Sequence, residues 1–511
     1  MIQRILTVGG FTLLSRITGF GRDIILAAVL GAGPVADAFF VALRLPNHFR
    51  AIFAEGAFNA AFVPAYARIR EQGGAQRAGQ FADRIFTLLL ASQIVLLAIA
   101  LLFTPAVIDV LAPGFARDPE RYALAADLTR ITFPYLLLIT LVTLYGGILN
   151  SLQRFAAAAA APILLNISLV MALLLAAFFP TAGHAAAWGV LIAGVLEFLL
   201  VAGAASRAGA MPSFRWPQLD ADVRQFFRAL GPATVGSAGV QLALFADTII
   251  ASFLATGALS ALYYADRLNQ LPIGVIGIAA GTVILPEMSR RIAAGDTTGA
   301  AQAQNRAVEF TLLMAIPCVV AFFVIPELIM RAMFVRGAFT VADSIAAAHT
   351  LSAYAFGLLA FVLIRSVVAS FFSRGDTATP VKAALIAAAV NIAFKFLLMG
   401  PLAQVGLALA TSIGAWINLG LVVWFGMRAG HIQIDERLRK SAIKLAGAGF
   451  ALAGVLWLCN EPVAHLFDDW QKLREIAALA LLAAIGGAVY GCIVLVLFGR
   501  DWLAAFRARS R

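Results

Sequence analysis

The chain has little of what chemistry in water requires. It has three cysteines and five histidines in 511 residues. Cys318, Cys459 and Cys492 each lie in an apolar segment with no spacing partner, which argues against a disulfide framework or a zinc ribbon. His48, His184, His349, His431 and His465 are scattered and never fall at metal-ligand spacing. No Gly-rich loop ends in Lys-Ser/Thr, so there is no ATPase signature. No Ser/His/Asp arrangement presents itself, and no cofactor is expected. Charge is scarce as well: 13% of residues, against about 25% in soluble domains. The opening Met1-Ile2-Gln3-Arg4 has no basic n-region, so no cleavable signal peptide is expected.

What is abundant is apolar sequence. Hydrophobic residues make up 62% of the chain and mean hydropathy is +0.91. The apolar runs are about 20 residues long and recur throughout, the length at which a helix crosses hydrocarbon; barrel strands are shorter and alternate. The expected fold is an all-α polytopic membrane protein of about fourteen spans. They lie near 5–30, 33–65, 82–112, 124–149, 157–179, 185–206, 229–255, 259–289, 307–328, 346–372, 381–399, 404–427, 441–459 and 474–498. The formal charge of +11 is unevenly placed. Alternate links are basic: Arg68 to Arg84, Arg154, Arg207 to Arg228, Arg290 to Arg306, Arg374 with Lys382, Arg428 to Lys444, and the tail from Arg500. The other links hold only Arg117, Arg121, Arg331, Arg336, Lys472 and Arg474. The bias is about fourfold and puts both termini in the cytoplasm. It accounts for the basic balance without nucleic acid.

A weak repeat runs through the chain. Arg44-Leu45-Pro46-Asn47 followed by Val63-Pro64 is echoed by Arg267-Leu268-Asn269-Gln270 followed by Leu285-Pro286. Arg207-Ala208-Gly209 is echoed by Arg428-Ala429-Gly430. The copies lie about six spans apart, and an even offset keeps them in one orientation. This divides the chain into an N-terminal lobe at 1–209, a C-terminal lobe at 210–430, and two extra helices with a basic tail at 431–511.

Arginines inside membrane-grade sequence are the feature most suggestive of function. Arg16, Arg22, Arg44, Arg50, Arg267 and Arg365 all fall in apolar spans. A charge at bilayer depth costs roughly 3 kcal/mol by insertion scales, so these cations belong in a wet cavity suited to an anionic cargo. Arg16 and Arg22 lie about 120° apart on a straight helix, and Gly19 and Gly21 offer a bend between them. The alternative is structural: pairing with Asp23, Asp37, Glu55 or Asp266 as charge partners, or snorkelling from helix ends. Asn47 and Ser260 taken alone read as helix-packing polar residues. Asp247 is a lone acid in an apolar span, and Asp376 lies near a turn. Together they offer oxygen ligands to a monovalent cation or a proton relay; a turn or helix cap explains Asp376 equally well.

The block Ser15-Arg16, Gly19-Phe20, Arg22-Asp23, Gly31-Ala32-Gly33, Asp37-Ala38-Phe39-Phe40, Leu45-Pro46-Asn47 and Phe53-Ala54-Glu55-Gly56-Ala57-Phe58 resembles the MurJ (MviN) lipid II flippase family. So do Tyr263-Tyr264-Ala265-Asp266-Arg267-Leu268, Ala112-Pro113-Gly114-Phe115, Thr132-Phe133-Pro134-Tyr135 and Thr379-Pro380-Val381-Lys382. The resemblance implies a fourteen-helix fold of the MOP exporter superfamily in the bacterial inner membrane. It implies export of the undecaprenyl-pyrophosphate-linked peptidoglycan precursor by alternating access. Lipid II and membrane lipids would be the partners, with the cell-division and peptidoglycan synthesis machinery nearby. The family's cavity residues map to Ser15, Arg16, Arg22, Asp37, Asn47, Arg50, Ser260 and Arg267; apart from the resemblance, Arg44 and Arg365 are expected to help bind the pyrophosphate by their charge and place in apolar spans. Some relatives bind sodium through acids, and Asp247 and Asp376 match two such positions; Na+, H+ or the membrane potential is the expected drive. Gln270 departs from relatives that have Glu in that segment. An O-antigen or capsule flippase would suit the charge but not the N-terminal block. A MATE-like cation-coupled drug exporter would want cavity acids instead of arginines.

Overall fold

A computed structural model describes residues 2–49, 57–216, 218–470 and 473–507. The described chain is helical and contains no strand, as hydrocarbon requires of backbone that must satisfy its own hydrogen bonds. It is a multi-pass membrane protein. Nine helices among the described residues are long and apolar enough to cross a bilayer.

The helices are α1 (Ile2–Leu30), α2 (Pro34–Phe49), α3 (Ala57–Leu102), α4 (Thr104–Leu111), α5 (Pro119–Thr132), α6 (Pro134–Ser151), α7 (Ala156–Leu174), α8 (Ala182–Arg207), α9 (Ala221–Ser252) and α10 (Ala258–Pro272). They continue with α11 (Ile278–Ala293), α12 (Thr297–Val324), α13 (Pro326–Phe334), α14 (Val341–Phe372), α15 (Ala378–Arg428), α16 (Glu436–Leu466) and α17 (Arg474–Arg507). Starts carry the expected signals. Asp118, Asp220, Asp296 and Asp435 accept from backbone amides at N-caps, and Thr340 with Asp343 forms a capping box.

Several spans differ from their sequence outlines. The run expected at 33–65 is divided between α2 and α3. The basic link after it is itself helical, bent at Gly74 (φ 73°, ψ −178°) so that α3 folds on itself. Phe62 and Phe81 stack across that fold at 5.7 Å. The run expected at 259–289 becomes α10, one π-helical turn at Ile273–Gly277, and α11. The runs at 381–399 and 404–427 join in α15, whose 51 residues would extend about 76 Å if straight. It instead doubles back at Ala403, so that Gly414 lies against Asn391.

Ala403 has φ 46° and ψ −127°, a region where a Cβ is strained. Ala403→Gly should raise the melting temperature of the purified protein. Ala403→Val, which adds β-branching at positive φ, should lower stability by about 1–2 kcal/mol. A lower melting temperature for the glycine variant would refute the strain.

The chain forms two compact units: Met1–Ser260 with Arg336–Phe339, and Ala261–Val335 with Thr340–Arg511. The first unit extends through α9. The reason is packing: Val223 and Phe226 of α9 sit in the aromatic core of α3 with Phe58, Phe62 and Phe81, and Phe226 meets Phe58 edge-on at 5.7 Å. The second unit is built on α14 against α15, with Val367, Phe371, Ala383, Leu419 and Val422 buried.

Candidate functional site

In the first unit α1 runs without interruption through Gly19 and Gly21, so Arg16 and Arg22 point to different places. Arg16 is exposed and makes no ion pair among the described residues. With Thr12, Ser15, Asn150, Phe155 and Pro162 it lines a cleft of about 530 Å³. Arg22 is largely covered. Its Nε and Nη2 donate to Asp23 Oδ1 at 3.0 and 2.7 Å, and its Nη1 donates to Asn166 Oδ1 at 3.0 Å. Asn166 Nδ2 in turn donates to the Ser15 carbonyl and to Thr18 Oγ1, each at 3.0 Å. Gly19 faces the Asn166 amide, and a methyl there would lie in ordinary contact with it at 3.4 Å. Asn166, which the sequence reading passed over, thus fixes the Arg22 fork from α7.

Asp37, near the start of α2, is fully buried. Ser260 donates to its Oδ1 through the hydroxyl (2.6 Å) and the backbone N–H (3.0 Å), and the Gly257 N–H donates to Oδ2 at 2.8 Å. Arg121 of α5 reaches the same Oδ2 at 3.5 Å. Its guanidinium lies over the Phe115 ring at 4.1 Å. The structure therefore joins two sequence-selected residues, Asp37 and Ser260, and adds Arg121, which the sequence had placed in a link. The Asp118-Pro119 cap was the available signal, because it sets Arg121 at the third helical position, where its own N–H is bonded to Asp118. Elsewhere in the unit Arg44 Nη1 donates to Thr248 Oγ1 at 2.9 Å. Asn47 and Asp247 are half-buried. Arg50 and Glu55 lie outside the described residues.

In the second unit the Arg267 guanidinium stacks on Tyr263, 4.5 Å from the ring centre. Gln270 Nε2 donates to Asp266 Oδ1 at 3.3 Å, so the residue that departs from the family pattern supports an acid. Arg365 is exposed, and its Cδ lies where a Cβ added at Gly277 would approach within 3.0 Å. Asp376 lies in the turn after α14 and accepts from the Thr379 N–H at 3.0 Å. That bond holds its carboxyl below the usual aspartate range. Three buried charges carry no signal in the sequence, the first being Glu197 of α8, which accepts from the Tyr135 hydroxyl at 3.5 Å. Glu309 of α12 is fully buried with Arg306 at 2.5 Å and Ser441 Oγ at 2.8 Å. Lys395 is buried inside α15. Among the described residues, no three His, Cys, Asp or Glu side chains gather as a metal-binding group.

The family model described as "Lipid II flippase MurJ" matches residues 26–477. A probable lipid II flippase MurJ of Rhizobium meliloti is 41% identical over 507 residues, covering 98% of this chain and 94% of its own. The lipid II flippase MurJ of Burkholderia cenocepacia is 32% identical over 518 residues, covering 99% and 98%. A solved lipid II flippase MurJ in an inward closed conformation superposes with a TM-score of 0.81 at 25% identity, covering 97% of this chain and 99% of that one. An inward-facing MATE multidrug transporter of the MOP superfamily has the same fold, with a TM-score of 0.66 at 15% identity and coverage of 85% and 99%.

Proposed function

The chain belongs to the lipid II flippase MurJ family, and from that membership we infer that it is a lipid II flippase, a transporter and not an enzyme. It carries the undecaprenyl-pyrophosphate-linked peptidoglycan precursor from the cytoplasmic to the periplasmic leaflet of a bacterial inner membrane by alternating access. The carrying observation is relationship over nearly the whole length, 98% of this chain at 41% identity. The basic links support cytoplasmic termini. The cargo is what wall-synthesis and cell-division enzymes consume, so those assemblies are included as partners.

The arginines supply the recognition chemistry. A guanidinium donates two parallel hydrogen bonds to a phosphate. In this reading Arg16, open in its cleft beside Ser15, and Arg22, oriented by Asp23 and Asn166, engage the pyrophosphate. Arg44 and Asn47 of α2, and Arg50, are further candidates for the phosphate, and Arg267 and Arg365 are the candidates that the second unit holds. Asp23, Asp37, Glu55 and Asp266 serve as gate and charge partners, and Asp37 binds Ser260 and Arg121 at the start of α2. The polyprenyl tail takes an apolar groove of about 520 Å³ in the second unit, lined by Pro272, Val275, Pro317, Leu452, Leu479 and Tyr490. A hydrocarbon tail never has to leave apolar surroundings there, while the sugar-peptide head cannot cross them.

No ATP is needed in this scheme. Outward movement of one negative charge gains about 2.3 kcal/mol per 100 mV of inside-negative potential, and a doubly charged pyrophosphate about twice that. Sodium at Asp247 and Asp376, or protons, are the other drives proposed. Collapsing the potential with a potassium ionophore at fixed pH and fixed sodium should stop the appearance of lipid II in the outer leaflet. If export continues under that treatment but stops when sodium is replaced by choline, the drive is sodium instead.

A further inference from the structure

Between α8 and α9, residues 208–216 and 218–220 have little regular structure, yet they are stitched to α3. The Ser213 N–H donates to Asp83 Oδ1 at 2.7 Å and the Arg215 N–H to Thr87 Oγ1 at 3.1 Å. Arg84 pairs with Asp220 and donates to Gln218 at 2.9 Å. The backbone is thus held along one turn of α3. The side chains that remain outside are large and apolar: Met211, Phe214, Trp216 and Leu219 are 55%, 70%, 77% and 58% exposed. A cluster of that kind facing water is rare and marks a surface meant for covering.

Depth and charge say what covers it. From Ile94 onward α3 exposes Val95, Ile99 and Leu102 as a lipid-facing surface. That surface begins about 10–16 Å beyond the stitched turn at the helical rise. The strap therefore sits just outside the hydrocarbon, in the layer where Trp and Arg collect. Its acids are already used, Asp220 by Arg84 and Asp222 by Arg77. Arg207, Arg224 and Arg228 are exposed and pair with no acid among the described residues. Arg207 also shares a cleft of about 390 Å³ with Arg154.

We propose that residues 207–216 and 218–228 form an interfacial strap for anionic phospholipid, with Phe214 and Trp216 set into the headgroup boundary and Arg207, Arg224 and Arg228 on lipid phosphates. The strap fixes the depth of α3 and α9, the two helices whose aromatic core it adjoins, and it acts on bulk lipid independently of the transported cargo.

The test uses the full chain in phosphatidylcholine vesicles with and without phosphatidylglycerol. The fluorescence of Trp216 is obtained as the difference between wild type and Trp216→Phe. It should be quenched by lipid brominated near the headgroup and shielded from aqueous iodide. Spin-labelled phosphatidylglycerol should associate preferentially with the protein, and that preference should fall about tenfold in the Arg207→Gln/Arg224→Gln/Arg228→Gln variant. Quenching of Trp216 by iodide alone, or by neither agent as under a protein cover, overturns the proposal. So does an unchanged phosphatidylglycerol preference in the triple variant.

Discussion

Bacteria depleted of their own lipid II flippase are expected to lyse when supplied with the Arg22→Ala variant and to grow when supplied with the wild type. Arg22 bridges Asp23, itself only 4% exposed, and Asn166. Two effects are therefore entangled in the single change: lost phosphate recognition and an uncompensated buried carboxylate. The second alone is worth about 3–5 kcal/mol. The variant Arg22→Ala/Asp23→Ala separates them. Removing both charges should return the protein to near-normal membrane levels while export stays about 100-fold down, since each charge-assisted bond to phosphate contributes about 1.5–3 kcal/mol. Arg22→Lys should fall between, because an ammonium lacks the planar fork that reaches two partners. Recovery of growth by the double variant would show that Arg22 acts only as a counter-ion.

Asp37→Ala is expected to destabilise the first unit more than any other single change considered. It leaves the Arg121 guanidinium, which is 5% exposed, with Asp118 at 3.7 Å as its remaining carboxylate, and leaves the Gly257 and Ser260 amides without acceptors. A buried charge left wholly unpaired costs about 3–5 kcal/mol, of which Asp118 offsets a part, and each unsatisfied donor adds about 1–3 kcal/mol. Asp37→Asn keeps an acceptor for Ser260 and should lose less. Adding Arg121→Met to Asp37→Ala should recover part of the loss, because the buried cation that has lost one of its two carboxylates is then gone. The measurements are membrane abundance and thermal unfolding of the purified protein. Equal melting temperatures for Asp37→Ala and wild type would remove the carboxylate from any structural role.

The helical architecture was legible because hydrocarbon sets a length, and twenty-residue apolar runs report it directly. Neighbouring charges were legible too: Arg22 and Asp23 are adjacent in the chain and adjacent in space. The Arg121–Asp37 pair was not, being 84 residues apart with one member in a polar link. Lys395 was overlooked because a single cation in an apolar run barely changes its mean hydropathy. The packing of α9 on α3 was not legible, because Val223 and Phe226 are ordinary apolar residues in the sequence and only packing assigns them to the core of α3. The gap between the runs at 381–399 and 404–427 matches the turn inside α15, but nothing in the sequence shows that it closes through a strained alanine.

Four residues of the first unit, Arg336–Phe339, come from far down the chain. The Ala338 N–H bonds to the Ala28 carbonyl at 2.7 Å, and Gly31 (φ 67°) would bring a Cβ within 2.7 Å of the Ala338 carbonyl. A ribosome that has finished Ser260 has therefore not finished that unit. At about 5–20 residues per second, several more seconds of synthesis pass before the plug over Ala28 and Gly31 exists. During that interval the nascent N-terminal half is in the membrane with one seam open, the period in which an insertase or chaperone would matter most.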